Sequence, residues 1–191
     1  MYKINFILLL IILLSSLSCQ NRKSNSTETC DLNQIDSLLV LYYNYDFNGV
    51  RDIKCDEIQK YIPEPQDGFD GVYDALITNR NILDEIAQEI DNLSLDNEQY
   101  PLDARISATV YYSDGTIKKL CSDGNRLFQN GVLQKMNNHL LFLLKNNAGY
   151  YSWFEDPQEY MDELKDTSFV KDAFIESPYY KQYKAMENKD E

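Results

Sequence analysis

The chain has 191 residues and a formal charge of −13, from 31 acidic against 18 basic side chains and a single histidine. A surface of that sign repels the phosphates of nucleic acid and the headgroups of anionic lipid, which excludes nucleic acid as a partner and direct electrostatic docking on a membrane. One histidine and four cysteines without paired spacing supply no donor set for zinc, and no metal or other cofactor is expected.

Residues 1–18 carry a cation at Lys3, an unbroken apolar run from Phe6 to Leu14, and a small-residue exit in Ser15-Ser16-Leu17-Ser18. A bilayer-spanning helix takes about 20 apolar residues, so this run is too short for an anchor and has the three zones of a secretory signal peptide. The stretch LLSSLSCQN resembles a bacterial lipoprotein signal, in which small residues precede a cysteine that receives lipid and becomes the new N-terminus. Ser18 and Cys19 match that pattern. Ser16 departs from it, since an apolar residue is usual there, and Ser16-Leu17-Ser18 also suits an ordinary signal peptidase. The resemblance implies lipidation of Cys19 and a membrane tie through that lipid. The address is then the cell envelope, with the periplasmic side of the outer membrane as the default. Residues 19–33 are polar and unpatterned, as in a flexible tether.

Lipid on Cys19 leaves Cys30, Cys55 and Cys121. Cys30 lies near the far end of that unpatterned stretch, whereas Cys55 and Cys121 lie inside patterned segments. A Cys55–Cys121 disulfide is therefore expected, in a compartment that permits oxidation.

Asp36 to Tyr43 is apolar and rich in strand formers, and reads as a buried strand. Asn48-Gly49 turns, Cys55 to Ile62 reads as a short helix stopped by Pro63, and the next ten residues read as a loop. A brief strand at Val72 to Ile77 leads into a helix over 79–93. There Ile82, Leu83, Ile86, Ile90 and Leu93 share one face, and Thr78 or Asn79 caps the start. Ala104 to Tyr112 alternates with period two, then turns at Asp114-Gly115, returns through Ile117 to Cys121, and turns again at Asp123-Gly124. Arg126 to Gln129 and Val132 to Lys135 pair across Asn130-Gly131. Leu140, Leu141, Leu143 and Leu144 mark a helix over 138–146, capped by Asn137 or Asn138 and stopped by Gly149. Asp156-Pro157-Gln158-Glu159 and Ser177-Pro178 open short helices in the tail.

These elements predict an α+β fold in which an antiparallel, hairpin-rich meander carries two helices on one face. The domain spans 34–149, and a helical C-terminal extension covers 150–191. From Ile35 to Asn146 this order is similar to that of small, functionally uncharacterised bacterial lipoproteins. The likeness rests on LLVLYYNY and on the stretch from Asp103-Ala104-Arg105 to Gln129-Asn130-Gly131. It implies a fold and no chemistry.

Reactive groups assemble into no catalytic site. His139 reads as a surface or cap residue at a helix start. No serine sits in G-x-S-x-G and no glycine-rich phosphate loop is present. Glu155, Glu159, Asp162 and Glu163 share one face of a tail helix, where two carboxylates could serve a glycoside hydrolase, but they read as solvated charge. Tyrosine stands out, with fifteen copies. In GYYSWF it joins Tyr150, Tyr151, Trp153 and Phe154, residue types that grip partners or sugars through large contact area with a polar tip. They are the candidate binding aromatics, and the same group would equally dock the tail onto the domain. The functional expectation is a tethered, non-catalytic binding or accessory module for a protein or a glycan. An envelope hydrolase with a carboxylate pair and an immunity-type inhibitor of a basic toxin stand as alternatives.

Overall fold

A computed structural model describes residues 34–43, 52–61, 71–153, 161–166 and 168–187. The expectations for 1–18, Cys19, the tether, Asn48-Gly49, Pro63 and Asp156-Pro157 fall outside them, as do Phe154 and the side chain of Trp153. Residues 31–191 make one compact unit.

The fold is α+β. Six antiparallel strands lie in the order β2-β1-β3-β4-β5-β6. They are β1 (Ile35–Tyr42), β2 (Tyr73–Ile77), β3 (Ile106–Tyr112), β4 (Ile117–Ser122), β5 (Leu127–Gln129) and β6 (Val132–Gln134). The first strand in sequence is thus internal, with Leu38 opposite Ile77 on one side and Val110 on the other. From β3 onward each strand pairs with the next, because the intervening turns are tight and local. At Asn130-Gly131 both residues have positive φ, 50° and 82°, the mirror-image turn whose twist matches that of paired strands.

Alternation along β1 divides the core. Leu38, Val40 and Tyr42 face one way, joined across the ladders by Ile106, Ala108, Val110 and Leu120. Onto this face pack α2 (Arg80–Asp91) through Leu83, Ile86 and Ile90, and α3 (Asn138–Asn147) through Leu140, Leu143 and Leu144. Both helices begin as their side chains dictate. The Asn79 carboxamide accepts from the amides of Asn81 and Ile82, and that of Asn137 accepts from Leu140 N at 2.9 Å. Such caps satisfy donors that the first turn leaves open. Past α3, Gly149 takes φ 76°, which ends the helix.

The opposite face carries a smaller cluster, in which Tyr43, Cys121, Phe128 and Leu133 meet Ile53, Ile58 and Ala104. Its roof is the segment 52–61. Cys55 to Glu57 form a turn instead of the expected helical start, and only Ile58–Tyr61 (α1) is helical. Ala104 is likewise not part of β3. Its amide goes to Ile53 O at 2.7 Å, while Asp103 Oδ1 accepts from Ile53 N, so this stretch holds the roof and leaves the ladder to start at Ile106. The Cys55–Cys121 disulfide completes the attachment, with Cα atoms 5.7 Å apart, inside the span such bridges adopt. Farther along this face, Leu76 and Ile117 are 64% and 56% exposed.

The bridge closes a loop across a sequence separation of 66. Replacing both cysteines by serine is expected to lower stability by roughly 2–4 kcal/mol, read from urea unfolding of the oxidised parent and the double variant. Equal midpoints would mean that the roof is held without the bridge.

Candidate functional site

The C-terminal segments pack on the helical side of the sheet and build a cleft there. They comprise α4 (Tyr150–Trp153), a 3-10 turn (Asp162–Lys165), α5 (Asp172–Ile175) and α6 (Pro178–Glu187). Tyr150, Tyr151, Met161, Leu164, Val170, Tyr180 and Tyr183 all enter the main hydrophobic cluster.

The attachment centres on a buried ion pair. Lys145 and Glu163 are both 0% exposed, and Lys145 Nζ donates to Glu163 Oε1 at 2.8 Å and to the carbonyl of Gly124 at 3.2 Å. The Tyr151 hydroxyl donates to the same carboxylate oxygen at 2.6 Å. Burial pulls the Lys145 ammonium below the ordinary lysine range, with the Glu163 carboxylate opposing that shift. Burial, reinforced by the adjacent carboxylate, holds the Tyr151 phenol well above its usual value. The hydroxyl therefore stays a donor. Glu163, read from the sequence as part of a solvated acidic face, is a core residue.

A second connection uses His139. Nδ1 lies 2.9 Å from Glu89 Oε1, and Nε2 lies 3.2 Å from Glu85 Oε1, two acids one turn apart on α2. The imidazole stacks on Phe169, centroids 4.9 Å apart, and Lys171 reaches the other oxygen of Glu85. His139 was expected at the surface or as a cap. It instead joins α2, α3 and the tail, while Asn137 caps the helix.

Between these connections lies a cleft of about 940 Å³. Phe142, Leu143 and Tyr151 form its floor, and Phe169, Phe174 and Tyr179 form the tail wall. Asn146, Asn147, Ser152 and Gln182 supply a polar fringe, and the Glu85–Lys171 pair closes one end. The aromatic rings brace one another. Phe174 meets Phe142 edge-on at 5.0 Å, and Tyr179 lies 5.3 Å from Tyr151.

Of the aromatics singled out in GYYSWF, Tyr151 lines this cleft. Tyr150 is wholly buried against Tyr42 and offers no surface to a ligand, so its role is to dock the tail. The remaining cleft residues come from segments far apart in sequence, without a shared local motif. Among the described residues lining it, Glu85 is the only carboxylate. Asp162 is engaged by Lys165, and no described cluster of histidine, cysteine or acidic residues could hold a metal ion. No described helix is long and apolar enough to cross a membrane. No protein-family model, curated protein or solved structure matches the chain.

Lys145→Met leaves a carboxylate buried without its cation and is expected to cost about 3–5 kcal/mol, whereas combining it with Glu163→Leu restores much of the loss. Urea unfolding of the single and double variants checks this. A double variant no better than the single would show that the pair is not coupled. The tyrosines supply a pH test. Burial pushes Tyr42, Tyr43 and Tyr183 up to about 12, above the value of about 10 they regain on unfolding. Their contribution is complete below pH 10 and is lost as pH rises towards 12, because only the unfolded chain ionises in that interval. Thermal midpoints should fall across this window.

Proposed function

We propose that the protein is a lipid-anchored, non-catalytic binding module of the cell envelope, and that the aromatic cleft is where its ligand sits. The cleft itself carries the reading. Its volume lies in the range of ligand pockets, and its apolar walls with a few polar groups at the fringe have the composition of such sites. A glycosidase needs two carboxylates facing one another across the substrate, and the described lining offers Glu85 alone, already engaged by His139 and Lys171.

The test is a detergent-solubilised pull-down of C-terminally tagged protein from its native host, with co-eluting protein and carbohydrate both analysed. Asn146 is exposed at the cleft edge on α3, so Asn146→Trp should fill the cleft without disturbing the core. The expected result is a co-eluting component lost on Asn146→Trp. Cys19→Ala is expected to shift the protein from the membrane to the soluble fraction. Identical recovery from the parent and the tryptophan variant would refute the cleft as the site, and membrane retention of Cys19→Ala would refute the lipid anchor.

A further inference from the structure

We infer that the cleft takes a neutral, N-acetylated oligosaccharide, an assignment that rests on its being the ligand site. The lining has three chemical features. The tail wall presents partly exposed rings, Phe169, Phe174 and Tyr179, fixed in place by neighbouring aromatics. Held rings of this kind offer wide apolar faces at little cost in side-chain entropy, and the C–H face of a pyranose is a flat apolar surface of matching size. The fringe is amide and hydroxyl, with Asn146 and Gln182 exposed beside Ser152. Carboxamides both donate and accept, as sugar hydroxyls and acetamido groups require.

The third feature is charge. The only described charged residues in the lining are Glu85 and Lys171, 3.5 Å apart and of opposite sign, so the cleft selects neither an anion nor a cation. The chain's charge of −13 further opposes an anionic glycan. A basic peptide would need acidic groups aimed into the cleft, and Glu85 is taken up by His139 and Lys171. A volume of about 940 Å³ exceeds what one sugar ring fills and suits a short chain of rings.

The probe is tri-N-acetylchitotriose, titrated calorimetrically into the full-length, detergent-solubilised protein. Hydrogen–deuterium exchange of the same samples locates the contact. Binding is expected, with protection confined to peptides covering residues 82–85, 142–152 and 169–182. Asn146→Ala should weaken it about three- to tenfold, the range for one lost hydrogen bond, while Ile117→Thr on the far sheet face should leave it unchanged. Protection elsewhere, or equal affinity in Asn146→Ala, overturns the assignment. If the saccharide gives no heat or protection while the pull-down component is still lost on Asn146→Trp, the ligand class is wrong and the cleft reading stands. If that component is also indifferent to Asn146→Trp, both fall.

Discussion

The contact between Lys145 and Glu163 constrains more of this molecule than any other. Removing two charges from water costs several kcal/mol each, and only close pairing with further hydrogen bonds offsets it. Here the ammonium sits on α3, the carboxylate on the 3-10 turn, one acceptor on the β4–β5 connection at Gly124, and a phenolic donor on α4. Sliding the tail by one residue along α3 would strand both charges. Apolar packing alone tolerates such slippage, since one buried leucine resembles another. The ion pair does not, and the cleft walls inherit their spacing from it.

The two faces of the sheet are closed by different means. On one, helices and tail bury a continuous hydrophobic cluster whose stability scales with area. On the other, a short segment is strapped over one end by a covalent bond and by the paired contacts of Ile53 with Asp103 and Ala104. Among the described residues, seven form the buried part of that second cluster, which is little apolar surface to hold a ten-residue strap unaided. The disulfide ties that strap to β4 at Cys121.

Local chemistry was legible in the sequence, and long-range chemistry was not. Asp114-Gly115 and Asn130-Gly131 announced their hairpins because positive φ is a property of the turn itself. The asparagines capping α2 and α3 were legible for the same reason. The Cys55–Cys121 pairing followed from elimination among few cysteines. Glu163 was misread because its partner lies 18 residues away on another element, and an acid beside Asp162 and Lys165 resembles surface charge until the fold buries it. One signal was present: Lys145 directly follows the apolar run Leu140 to Leu144 and falls at helical spacing from Leu141 and Phe142, where a lysine needs a partner. His139 could not be placed without knowing that α2 and α3 run side by side. Of the cleft, Tyr151 and Tyr179 belonged to tyrosine-rich local stretches, and the other walls come from elements that meet only in the folded chain.

The position of β1 has a mechanical consequence. Gln34, the first described residue of the domain, has its carbonyl held by the amide and hydroxyl of Ser113, and the chain then runs into β1, which pairs with β3 from Ile35 and with β2 as well from Leu38. A pull on the preceding segment, directed along that strand, loads the β1–β2 and β1–β3 ladders in shear at the same time. An edge strand in the same place would peel away one bond after another. A leash tied to this end would load the sheet through an internal strand and not through an edge strand.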